Sequence, residues 1–127
     1  MSKLIIISGI SKGLGFGLTK RLLSMGWKVA GFSRKKSDGI KDLEKKFKNN
    51  FLFYHLDIKK HKKIDGFIKQ AKKLGKIYGL INNAGTVDED LLAIQNEKNI
   101  INLIETNLIG PIILTKKLLP FLLLPPL

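Results

Sequence analysis

The sequence predicts an α/β protein: a doubly wound parallel sheet, truncated after about four strands in the order 3-2-1-4, with flanking helices. Three observations carry this expectation. Short apolar runs alternate four times with stretches whose apolar residues recur at helical spacing, and such alternation implies parallel strands joined by right-handed crossovers. The apolar runs are continuous rather than alternating, which fits strands covered on both faces. No linker, repeat or low-complexity segment interrupts the 127 residues, a single-domain length.

Each element has its own signal. Leu4–Ser8 reads as the first strand, and Leu14, Leu18, Leu22 and Met25 follow as one helical stripe closed by Gly26. Lys28–Ser33 (KVAGFS) is the second strand. Ile40, Leu43 and Phe47 mark the second helix, with Ser37 or Asp38 as its N-cap. Phe51–Leu56 is the third strand. Ile64, Phe67, Ile68, Ala71 and Leu74 form the best amphipathic stripe in the chain, ended by Gly75. Tyr78–Ile81 is the fourth strand, and the polar stretch NNAGTVDED leads into a long apolar helix from about Glu97 to Phe121. The domain is expected to span residues 1–124, leaving 125–127 as a tail of a different character.

Composition narrows the function classes. With no cysteine, disulfides, zinc–thiolate sites and Cys nucleophiles are excluded, and the absence fits a reducing compartment. The formal net charge of +13 suggests nucleic acid, but of 23 basic residues only Arg21 and Arg34 are arginine, the residue favoured for phosphate and base readout. The lysines are scattered over the outer faces of the expected helices, so no nucleic-acid partner is expected. Lys3 precedes an apolar run too short for an export signal, and the proline-broken run from Leu118 to Leu127 is too short to span a bilayer. A cytoplasmic protein without membrane contact is expected. His55 and His61 lack metal-ligand company, and no metal site is assigned.

The segment Ser8–Gly17, SGISKGLGFG, carries the first functional signal. A strand that ends in glycines and feeds a helix is a dinucleotide fingerprint: glycines permit a tight turn, close backbone approach to a pyrophosphate and close helix–strand packing. The helix N-terminus then supplies N–H donors and positive potential. The spacing here is Gly9-x-x-x-Gly13-x-Gly15. About 20 residues on, an NAD site would place an acid for the ribose 2′-hydroxyl. Ser33-Arg34-Lys35-Lys36 stands there instead, a pattern suited to the 2′-phosphate of NADP, with Lys12 as a second cation.

With these residues placed, the chain resembles the short-chain dehydrogenase/reductase family, whose loop reads T-G-x-x-x-G-x-G; Ser8 keeps the hydroxyl of the usual threonine. The resemblance covers residues 3–121 and leans toward NADP-dependent 3-oxoacyl carrier-protein reductases and related ketoreductases. It implies a Rossmann-like fold with NADP(H) as cofactor, NAD(H) being the less favoured alternative. The cofactor-binding residues it implies are Gly9, Ile10, Ser11, Lys12, Gly13, Leu14, Gly15, Ser33 and Arg34. Asp57 and Ile58 follow at the adenine, and Asn83, Ala84 and Gly85 of the NNAG run pass close to the adenosine and ribose. Asn107, in Glu105-Thr106-Asn107, matches the family's catalytic asparagine.

The same resemblance exposes what these residues lack. The family transfers a hydride to a carbonyl with a tyrosine acid/base, a lysine four residues later that lowers its pKa, and a serine that orients the substrate. Tyr54 and Tyr78 are followed four residues on by Ile58 and Asn82, and no serine follows Ser37. The run LLPFLLLPPL replaces the expected fifth strand with proline. The expectation is therefore the NADP-binding half of a carbonyl or alcohol oxidoreductase, inactive alone, whose carbonyl or alcohol substrate is met only by a full-length parent. Self-association is expected through the exposed fourth strand and an apolar last helix (Ile100–Leu124). The alternative is a non-catalytic NADP-binding or protein-interaction module.

Overall fold

A computed structural model describes residues 3–86 and 91–122. Four parallel strands, β1 (Lys3–Ser8), β2 (Lys28–Ser33), β3 (Phe51–His55) and β4 (Lys76–Ile81), form one sheet in the order β3-β2-β1-β4. Helices α1 (Gly13–Ser24), α2 (Asp38–Lys46) and α3 (His61–Leu74) connect them. After β4 come a short 3₁₀ turn (Leu92–Ile94), α4 (Glu97–Ile104), a π-helical segment (Glu105–Ile109), α5 (Gly110–Leu118) and a final 3₁₀ turn (Leu119–Phe121). The expected tail 125–127 lies outside the described residues, as do the acidic end of NNAGTVDED and Leu124.

The central strand explains the layering. Along β1, Leu4 and Ile6 belong to one core while Ile5 and Ile7 belong to the other, the period of two that a strand imposes. The first core is closed by Ile64, Phe67, Ile68 and Ala71 of α3 and by Leu114 and Leu118 of α5. The second is closed by Leu23 of α1 and by Ile40 and Leu43 of α2. Both faces are therefore covered, which is why the strands read as unbroken apolar runs. Phe32 and Phe67 meet edge-to-face across the first core, with centroids 5.1 Å apart, worth about 1 kcal/mol beyond their burial. Ser37 caps α2, its hydroxyl accepting from the Ile40 N–H at 3.3 Å.

Three details depart from the expected elements. In α1, Leu14 and Met25 are exposed, and the buried line is Gly15, Thr19 and Leu23. The helix approaches the Gly9 carbonyl, just past the end of β1, so closely that its inner face must begin with a glycine. Strand β4 begins at Lys76 rather than Tyr78, and its register against β1 shifts between Leu4↔Ile77 and Ile5↔Gly79. Tyr78 is the extra residue of this bulge. Its ring is half-exposed, 5.5 Å from Trp27 and 4.4 Å from the Lys3 ammonium.

The long last helix is also not one α-helix. Pro111 has no N–H for the carbonyl of Asn107, and its ring crowds that carbonyl. The turn before it widens to π geometry, with the Gly110 N–H bonded to the Glu105 carbonyl. Gly110 is buried against Ile58, where a Cβ would meet Ile58 Cγ1 at 2.8 Å. The ion pair from Lys117 to Asp65 of α3 is 2.8 Å long, but the Asp65 side chain is 66% exposed. Such a pair contributes less than about 1 kcal/mol. Burial of Leu114 and Leu118, at about 2 kcal/mol each, is what seats α5.

Candidate functional site

All four strands end in loops around one open cleft of about 860 Å³. It lies at their carboxyl ends where the strand order reverses between β1 and β4, the usual ligand position in doubly wound sheets. The loop after β1, the Ser33–Ser37 segment after β2, Leu56–Ile58 after β3 and Asn83–Thr86 after β4 form its walls, with Asn102 and Thr106 closing one side.

The loop after β1 is shaped by its glycines. Gly9 has φ +72°, and a Cβ there would lie 2.9 Å from Ala84 Cα. Gly13 has φ +59° with open space beyond it. A Cβ on Gly15 would overlap the Gly9 carbonyl oxygen and lie 2.5 Å from Asn83 Nδ2. The chain is thereby drawn tightly together beneath the cleft. Ser8 fixes the seam: its buried hydroxyl accepts from the Asn83 N–H at 3.0 Å and the Ala84 N–H at 2.9 Å. The Asn83 side-chain amide donates to the Gly9 carbonyl at 2.9 Å.

This geometry leaves donors for a ligand. Gly9 and Ile10 donate their N–H groups to Phe32, but among the described residues the N–H groups of Ser11, Lys12, Gly13, Leu14 and Gly15 have no acceptor. Three of them begin the 12-residue helix α1, whose N-terminal end attracts negative charge. The rim is cationic. Lys12, Arg34 and Lys35 are exposed and make no ion pair among the described residues, whereas Lys36 is held 2.9 Å from Glu44. The hydroxyl of Ser33 donates to the Lys35 carbonyl at 2.7 Å and shapes this turn.

Of the expected site residues, Gly9, Ser11, Lys12, Gly13, Ser33, Arg34, Asp57, Ile58, Asn83, Ala84 and Gly85 line the cleft. Ile10 is fully buried over Gly31, Leu14 turns to solvent, and Gly15 lies behind the loop. Asn107 faces a neighbouring shallow groove beside Ile112 and Thr115. Its side chain clamps the end of the NNAG loop, donating to the Thr86 carbonyl at 2.6 Å and accepting from the Thr86 N–H at 2.7 Å. Sequence reasoning missed Thr86, Asn102 and Thr106 in the wall. Thr86 is signalled only by following NNAG, and Asn102 has no local signal at all.

The family model for short chain dehydrogenase matches residues 3–125. The chain belongs to the short-chain dehydrogenase family. Among curated members, benzil reductase of Bacillus cereus is 32% identical over 120 residues, 87% of this chain and 47% of that protein. The 3-oxoacyl-[acyl-carrier-protein] reductase FabG of Buchnera aphidicola is 31% identical, covering 92% of this chain and 48% of its own length. The chain thus spans about half the length of these curated relatives. Solved structures agree in fold. ElxO with NADP bound superposes with a TM-score of 0.82 at 30% identity, over 94% of this chain and 50% of that one. The 3-ketoacyl-(acyl-carrier-protein) reductase of Brucella melitensis, complexed with NADH, gives 0.83 at 26%, over 94% and 49%. The cleft lies in the family's Rossmann-like NAD(P)-binding fold.

Proposed function

We infer that the cleft binds NADP(H) and that this chain is the coenzyme-binding part of an oxidoreductase moving a hydride between nicotinamide and a carbonyl or alcohol. The observation that carries the reading is the pairing, in one cleft, of the Ser11, Lys12 and Gly13 amides with the Arg34 guanidinium, none of which has a partner among the described residues. The amides suit a pyrophosphate, and Arg34 suits a 2′-phosphate, which an acid at that position would repel. Asp57 and Ile58 form the adenine edge, and Asn83, Ala84 and Gly85 carry backbone past the adenosine and ribose. Ile10, Leu14 and Gly15 shape the loop from beneath and behind.

When bound, the dinucleotide supplies the hydride; these residues bind and orient it. The 127 residues contain no Tyr-x-x-x-Lys, so the proton donor of the family reaction is not among them. Asn107 is assigned as a positioning group: with both bonds to Thr86 it fixes the NNAG wall. The purified chain is therefore expected to bind NADPH yet to show no NADPH consumption with any carbonyl.

Calorimetric titration tests the cofactor assignment. The wild-type chain should bind NADPH at least about tenfold more tightly than NADH, the worth of one charge-assisted phosphate contact. Arg34→Asp should abolish or invert that preference. An unchanged preference in Arg34→Asp refutes the role of Arg34, and equal binding of the two dinucleotides by the wild-type chain refutes NADP selectivity.

A further inference from the structure

Behind the adenine edge of the cleft stands a lysine that does not line it. The Lys59 N–H donates to Asp57 Oδ1 at 3.0 Å, and its ammonium lies 3.8 Å from Asp57 Oδ2. The same ammonium donates to Asn102 Oδ1 on α4. Asp57 and Asn102 both line the cleft, and the Asp57 and Lys59 side chains are each only 25% exposed. One cation therefore bridges two walls that come from distant parts of the sequence.

We propose that Lys59 is a positioning residue for adenine recognition, locking the Asp57 carboxylate in one orientation and tying α4 to it so that the two close on the base as a single wall. A carboxylate held by a backbone N–H on one oxygen and a cation beside the other loses its freedom to rotate. The lone pairs left toward the cleft are then fixed acceptors for an exocyclic amino group. A base carrying an oxo group at that position presents an acceptor to an acceptor and is rejected. Lys59 thus contributes base selectivity without touching the ligand, and the inference rests on the nucleotide reading of the cleft.

The test compares NADPH with its hypoxanthine analogue, which carries an oxo group in place of the 6-amino group, by calorimetry on the 127-residue chain. The wild-type protein should prefer the adenine form about tenfold, the worth of one hydrogen bond to a charged group. Lys59→Met should bring the ratio close to one, while Lys59→Arg should keep most of it. Lys60→Met, on the neighbouring exposed lysine, removes the same charge without the bridge and should leave the ratio unchanged. Lys59→Gln takes the place of Lys59→Met if the latter loses its circular dichroism. No binding of either form by the wild-type chain defeats the nucleotide reading and this proposal with it. Binding without base preference, a preference that survives in Lys59→Met, or an equal fall in Lys60→Met overturns the role of Lys59 alone.

Discussion

Two glycines under the cleft tolerate change to different degrees, and the difference is measurable. Gly15→Ala places a methyl group against backbone that cannot move away, and should cost about 2–3 kcal/mol or more in a urea melt. Gly13→Ala meets nothing within 4 Å, so only its left-handed φ is penalised, at about 1 kcal/mol. The order of these two variants, not their absolute values, is the expected result; a reversed order would contradict the close packing under Gly15. Ser8 offers a second check at the same scale. Ser8→Ala leaves the inward-facing N–H groups of Asn83 and Ala84 without their acceptor, a loss of about 1–3 kcal/mol. The variant should melt correspondingly earlier while keeping its secondary structure.

At the scale of elements, the segment from α4 through the π turn to α5 decides how the NNAG loop is held. Asn107 reaches Thr86 from the π turn. Asn107→Ala should therefore raise the hydrogen-exchange rate of the Thr86 amide, while leaving amides of β1 and α1 unchanged. An unchanged Thr86 rate would mean that the bonds of Ser8 and Asn83 hold the loop without Asn107. This segment also shows where periodicity stops being informative. Pro111 is visible in the sequence, but the apolar residues around it are so dense that any helical register fits them. The switch to π geometry leaves no trace in the pattern. In α1 the leucine line is half right: Leu18 and Leu22 pack against the second core while Leu14 is exposed. The fully buried line, Gly15, Thr19 and Leu23, starts with two residues that carry no hydrophobic signal and is selected by close approach to the Gly9 carbonyl. Where burial and hydrophobicity agree, as at Ile64, Phe67, Ile68 and Ala71 of α3, the element was legible outright. So were the strand order and most of the cleft, because each glycine and polar residue of that loop follows the end of a strand. Lys59 and Asn102 were not legible, being 43 residues apart and joined only by the folded chain.

For the molecule as a whole, two surfaces are unpartnered among the described residues. Strand β4 pairs with β1 on one side only, and Ile101, Ile104, Leu108, Ile112 and Leu119 are exposed along the last helical segment. An open strand edge beside an apolar face favours association, so sedimentation should show concentration-dependent oligomers, and Ile112→Lys should shift them toward monomer. A strictly monomeric chain would contradict this. The charge of +13 acts at the same scale: it should steer an anionic dinucleotide to the cleft, with affinity falling as salt rises.

The most direct test of the central reading is an amide chemical-shift titration of the ¹⁵N-labelled chain with NADPH. Saturating shifts should centre on Ser11–Gly15, with Arg34 and Asn83–Gly85 moving in the same titration and the outer faces of α2 and α3 still. A titration that leaves the Ser11–Gly15 amides unmoved, or that moves only scattered surface lysines, would contradict a dinucleotide site in this cleft.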